Sequence, residues 1–158
     1  MKILKVQALR GPNIWSVQRK KLIQMRLDLE EMEQYPTNKI DGFRERIEAM
    51  FPTMIEHRCS EGTRGGFFSR IERGTWMGHV IEHIALEIQT LAGMETGFGR
   101  TRETKTPGIY NVVFSYTEEN VGLFAAESAV AIAEALIKGT EYDLDADIKR
   151  MREIRERV

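Results

Sequence analysis

Lys21-Leu-Ile-Gln-Met-Arg-Leu-Asp-Leu29 alternates from Ile23 onward: Ile23, Met25, Leu27 and Leu29 fall on one side of an extended chain, and Gln24, Arg26 and Asp28 on the other. Successive side chains of a strand point to opposite faces, so this spacing predicts a half-buried strand with one packed and one polar face. Upstream, residues 2–9 mix β-branched and polar side chains and run into the turn cluster Arg10-Gly-Pro-Asn13, a second strand and a loop. Downstream, Met54-Ile-Glu-His-Arg-Cys59 reads as a strand ending in a turn, and Ile109–Tyr116 as another, rich in β-branched and aromatic residues.

Helices fill the intervals. Ile40, Phe43, Ile47, Met50 and Phe51 recur at helical spacing and stop at Pro52. Arg64 to Arg73 predicts a short helix closed by Gly74, and Thr75 is placed to cap a longer one, Trp76 to Ala92, ended by Gly93. Residues 97–108 are glycine-flanked, basic and too polar for core, and read as a loop. Val121 to Ile137 is an alanine-rich helix suited to covering a sheet. Asp143 to Val158 is a charged helix with a thin stripe of Leu144, Ile148, Met151 and Ile154, acidic at its start and basic at its end. Strands interleaved with helices in no regular alternation predict an α+β fold, a mainly antiparallel sheet of about four strands packed with helices. Trp15 and Trp76, like Met25, Met32, Met50, Met54, Met77 and Met94, read as packing residues.

The 158 residues suit a single domain, 1–158, and at 42% hydrophobic they support a core of their own. No apolar run approaches the roughly 20 residues of a membrane span, and the first ten residues read as a strand rather than a signal peptide. One cysteine, Cys59, excludes an internal disulfide and suits a reducing cytoplasm. Lys plus Arg number 23 against 24 Asp plus Glu, and that balance argues against general nucleic-acid binding.

Two of the three histidines stand in His79-Val-Ile-Glu-His83. Positions four apart on a helix lie one turn above each other, so both imidazoles can reach one ion, and Glu82 shares their side. This H-x-x-E-H order is the inverse of the thermolysin-type motif, with histidines as zinc ligands and glutamate as general base. Zinc lowers the pKa of a water to about 7, and the nearby carboxylate takes its proton. Cys59 is the favoured third ligand, because thiolate suits zinc; His57, two residues earlier, shares its expected strand face, and Glu61 and Glu87 are the alternatives. The same side chains also suit a structural role, as a histidine buried against a carboxylate, and Cys59 also reads as a small buried hydrophobe.

Arg64, Arg70, Arg73, Arg100 and Arg102 fall in or beside glycine-rich turns, where arginine forks can clamp carboxylates. They equally suit a solvated surface balanced by Glu61, Glu72 and Glu103. The Gly97-Phe-Gly99 pair has neither a dinucleotide fingerprint nor a P-loop around it.

Lys2-Ile-Leu-Lys-Val-Gln-Ala-Leu-Arg-Gly-Pro-Asn13 resembles the start of cyanophycin synthetases, as do Leu22–Leu29, Gly74-Thr-Trp-Met-Gly-His-Val-Ile-Glu-His83 and Leu91-Ala-Gly-Met94. Gly97-Phe-Gly-Arg-Thr-Arg-Glu-Thr104 and Pro107-Gly-Ile-Tyr110 extend the resemblance over nearly the whole chain. It is to the N-terminal domain of those ligases, which build a poly-aspartate backbone carrying arginine on each side-chain carboxyl. The resemblance implies that the ATP-grasp and Mur-ligase-like domains, with their ATP and Mg, lie outside these residues. It implies the polymer and the remaining synthetase domains as partners, and a homo-oligomer in the full-length enzyme, with no nucleic acid and no membrane. Together with the motif, it leads to an expected zinc-dependent endopeptidase of cyanophycin that makes primers. His79, His83 and Cys59 would be ligands, Glu82 the base, and Arg100, Arg102 and Arg64 the polymer contacts. The alternative is a non-catalytic tethering or assembly domain.

Overall fold

In the computed structural model, which describes residues 1–10, 12–15 and 21–157 and only the backbone of Ser60, β2 (Leu22–Asp28) is an inner strand. It lies between β1 (Lys2–Leu9) and β4 (Ile109–Ser115), and β3 (Gly99–Glu103) forms the far edge. The order is β1-β2-β4-β3 with every pairing antiparallel. Cross-strand register sets Ile23 opposite Phe114 and Met25 opposite Val112, and all four side chains are fully buried. Their face is covered by α3 (Met77–Leu91) over β3 and β4, and by α4 (Glu119–Lys138) over β1 and β2. Removing one such side chain down to a methyl costs about 2–5 kcal/mol.

Two shorter helices, α1 (Phe43–Met50) and α2 (Gly66–Arg73), add Phe43, Ile47, Phe67 and Ile71 to the same core. The last helix, α5 (Leu144–Glu156), rests on α3 and α4. From it Arg152 donates to the Leu91 carbonyl at 3.1 Å and Arg155 to the Gly93 carbonyl at 3.4 Å. Both cations meet the negative end of α3, where the last carbonyls lack helical donors. Helix α4 is long and apolar enough by composition to cross a membrane, and 61% of its most apolar window is buried inside the fold.

The α+β architecture with four antiparallel strands agrees with the sequence reading, but one strand is exchanged for another. Met54–Cys59 is not a strand: it forms two 3-10 turns, Pro52–Glu56 and Cys59–Glu61. Its backbone groups bond locally or to the start of α2: His57 N–H donates to Met54 O, and His57 O accepts from Phe67 N–H, which leaves no ladder to join. The expected loop at 97–108 instead contains β3, paired to β4 from Gly99–Phe114 to Glu103–Tyr110. Thr75 does not cap α3; the cap position is Trp76, with no side-chain bond. Trp15 is buried as expected, whereas Trp76 is 38% exposed. Gly11 of the first turn and Val158 of the last helix lie outside the described residues.

Candidate metal centre

His79 and His83 stand one turn apart on α3, and Cys59 enters from the 3-10 turn after residue 58. The three ligand atoms lie within 4.8 Å of one another. Cys59 Sγ is 3.1 Å from His79 Nε2, and His79 Nε2 is 3.1 Å from His83 Nε2. Cys59 holds φ at +55°, in the left-handed region that a side chain occupies at a cost of about 1–3 kcal/mol. That backbone turns its thiol toward the helix.

The donor set fits zinc. Two imidazoles and a thiol are zinc ligands, and tetrahedral zinc sets such atoms about 3.3–3.6 Å apart. Three protein donors leave the fourth position that a catalytic ion needs. Burial, reinforced by Arg70, pushes His79 down to about 4, and burial with the neighbouring His79 and His57 pushes His83 well below its ordinary value. Both rings are therefore neutral at pH 7, the form that binds metal.

Each ring is held from behind. The second nitrogen of His79, Nδ1, is 3.0 Å from the Thr75 hydroxyl, so Thr75 ties the ligand rather than the helix terminus. Phe67 stacks on His83 at 4.1 Å between centroids. His83 Nδ1 meets His57 Nδ1 at 2.9 Å, and His57 Nε2 meets Glu87 Oε2 at 2.6 Å.

Glu82, one residue before His83, lies outside the ligand trio and leans toward β3, where the Thr101 hydroxyl donates to its Oε2 at 2.6 Å. Burial raises this carboxyl to about 7, partly offset by the Thr101 bond and by nearby His57. Gly99 makes room for it: a Cβ there would come within 2.7 Å of Glu82 Cδ, and closer still to Oε1. Gly78 likewise lets α3 approach β3 and β4, with Thr101 and Tyr110 at 3.1–3.3 Å from where its Cβ would be.

A cleft of about 770 Å³ opens over Cys59, His79, Glu82 and His83, with Trp76 on its wall. Arg58 and Arg70 line it as well. The three arginines named from sequence are placed differently. Arg64 is paired with Glu56 at 2.9 Å. Thr101 faces α3, so alternation sets Arg100 and Arg102 on the opposite face of β3, where Arg100 lies over Phe98; Arg100, on this edge strand, also lines the cleft. On that opposite face, register aligns Lys5, Arg26, Asn111 and Arg102 in one row. Among the described residues no carboxylate is within ion-pair distance of Lys5, Arg26, Arg100 or Arg102. Of the alternative ligands, Glu61 pairs with Arg73 and Glu87 with His57, so neither joins the trio. Sequence reasoning gave no site role to Thr101, Phe67 or Gly99 and read Thr75 only as a helix cap; the Gly-x-Gly at 97–99 was the one visible signal among the first three.

Residues 24–138 match the family model described as cyanophycin synthase-like N-terminal domain. Among curated proteins, the chain is 54% identical over 158 residues to the cyanophycin synthetase of Geminocystis herdmanii, covering 98% of this chain and 18% of that protein. It is 52% identical to that of a Synechocystis species over 157 residues, and 50% identical to that of Crocosphaera subtropica, with the same coverages of 98% and 18%. The chain thus spans less than a fifth of the length of these relatives.

Proposed function

Since the chain belongs to the cyanophycin synthase-like N-terminal domain family, we propose that it binds cyanophycin and hydrolyses backbone amides of that polymer at a zinc site, making new chain ends that prime synthesis. The observation that carries this reading is the convergence of Cys59, His79 and His83 donor atoms in the cleft that Glu82 also lines. His79 and His83 would hold zinc through Nε2 and Cys59 through Sγ. Bound there, zinc supplies Lewis acidity to a carbonyl and to a water. Glu82 takes the proton of the attacking water and returns it to the departing nitrogen as the C–N bond breaks. Its burial against Thr101 suits that exchange, because a base with a pKa near the working pH both accepts and releases the proton.

The polymer offers arginine carboxylates and guanidinium groups at regular intervals. Arg58, Arg70 and Arg100 line the cleft where a bound segment would lie, and Arg64 stands with Glu56, itself on the cleft wall. Arg102, with Lys5 and Arg26, gives the outer face of the sheet a row of cations for a longer stretch of chain. Residues 1–158 would act as the first domain of a cytoplasmic, homo-oligomeric ATP-dependent ligase, whose ATP and Mg serve domains beyond this chain. Holding the polymer on this domain would raise the effective concentration of its ends at those ligation sites.

The test is to incubate the chain with cyanophycin and follow polymer length. Zinc-loaded protein should shorten it, a chelator should stop the shortening, and added zinc should restore it. Glu82→Gln should bind zinc and leave the polymer intact; cleavage that survives this substitution refutes the mechanism. One observation favours a second reading, a tethering domain without catalysis. The side chains of Cys59, His79, His83, His57, Glu87 and Thr53 already form one continuous chain of contacts, as a structural core would. On that reading the chain retains the polymer and never shortens it.

A further inference from the structure

Three donors can meet around an ion without any help from His57 or Glu87, yet both are drawn in behind His83. Thr53 and His57 come from the segment that follows α1, whereas His83 and Glu87 stand four residues apart on α3. His57 bridges that gap: Nδ1 faces His83 Nδ1 at 2.9 Å and Nε2 faces Glu87 Oε2 at 2.6 Å. The other oxygen of Glu87 accepts from the Thr53 hydroxyl. His83 is 7% exposed and Glu87 3%, so solvent does not substitute for these partners.

The chain of contacts has one consistent proton assignment with a metal in place. If His83 Nε2 is a ligand, its Nδ1 carries the hydrogen and needs an acceptor. The facing nitrogen of His57 accepts only when His57 holds its own hydrogen on Nε2. Glu87, an acceptor when ionised, fixes that hydrogen there. His57 is therefore not a fourth ligand, because the His83 nitrogen it meets is the one turned away from His79. His79 has a simpler support, the Thr75 hydroxyl.

We infer that His57 and Glu87 are positioning residues for the metal, a carboxylate–imidazole relay that fixes the tautomer and ring orientation of His83. The inference rests on the zinc reading above, and zinc affinity separates the two. Zinc binding is measured by competition with a chromophoric chelator, with cobalt(II) spectra as a second readout, on the full 158-residue chain. His57→Phe and Glu87→Gln should each weaken zinc binding about 10–100-fold. Each variant leaves a buried polar group without its partner and should lower the metal-free unfolding temperature, so zinc affinity is compared in folded protein. His57→Asn keeps an acceptor near the Nδ1 position and should recover most of the affinity. Equal zinc affinity in wild type and His57→Phe overturns the relay, as does a loss that His57→Asn does not relieve. A drop in metal-free unfolding temperature with zinc affinity unchanged also overturns it, by showing a tie that only holds the fold. Should His57→Phe not fold, nitrogen-15 spectra of the metal-free wild type and Glu87→Gln decide: His83 should carry its hydrogen on Nδ1 in the wild type and lose that preference in the variant. A wild type that takes up no zinc defeats the zinc reading itself, an outcome no variant is needed to see.

Discussion

On the proposed mechanism Glu82 meets two demands in one side chain: it must be near enough to a reacting water to take its proton, and dry enough to hold that proton near pH 7. Its burial has a measurable cost. The folded carboxyl sits at about 7 against an ordinary 4.5, so the folded chain keeps this proton longer than the unfolded one. The stability that goes with the neutral carboxyl is complete below the unfolded pKa and is lost as pH rises through the folded one. In chelated protein, Glu82→Gln should gain on wild type between about pH 5 and about pH 8, by up to about 3 kcal/mol. Thermal unfolding of both proteins across that range checks this; His79 and His83 titrate in both and cancel. A difference that does not vary with pH would place the carboxyl at its ordinary value. His79, Glu82 and His83 were legible because helical spacing alone brings them to one side. Cys59 was legible as a residue type only: what aims its thiol is a left-handed backbone at φ +55°, which no periodicity announces.

At the scale of elements, α3 and β3 make the site between them, and the glycines set how close they come. Gly99→Ala should push the Glu82 carboxylate off Thr101, because the added methyl occupies its place. Overpacking of this kind costs about 1–3 kcal/mol. The expected result is lost polymer cleavage with zinc affinity within a few-fold of wild type. Retained cleavage would mean the carboxylate does not need that seat. The same closeness explains why β3 was hidden in the sequence. Its inner positions, Gly99 and Thr101, must be small for α3 to approach, and its outer positions, Arg100 and Arg102, are charged, so the apolar alternation that revealed β2 is missing. Met54–Cys59 failed in the opposite sense. It carries a short alternation, but Pro52 starts a 3-10 turn and its amides find local partners. By contrast, Met25→Ala, in the strand read most plainly, should cost about 2–5 kcal/mol by denaturant unfolding and leave the zinc affinity of the folded protein unchanged.

Over the whole molecule, a net charge of -1 conceals a separation. The helical face of the sheet is apolar, whereas the other face presents Lys5, Arg26, Arg100 and Arg102, apart from a small cluster of Trp15, Leu22 and Val113. Composition reported only the balance; the side of the sheet on which each arginine falls depends on strand register, and so the basic row and the cleft emerge only in three dimensions. Arg100→Glu with Arg102→Glu should weaken retention of cyanophycin, more so at low salt, while zinc affinity stays the same. Retention on immobilised polymer reads that directly, and unchanged retention would remove these two arginines from the binding surface.

On the proposed mechanism a zinc ion on Cys59, His79 and His83 cuts this polymer. Counting new amino termini on cyanophycin incubated with protein shown to carry one zinc per chain tests it most directly. The count should rise with time for the zinc-loaded wild type and stay flat for Glu82→Gln carrying the same zinc. A flat count for the zinc-loaded wild type would contradict cleavage at this site.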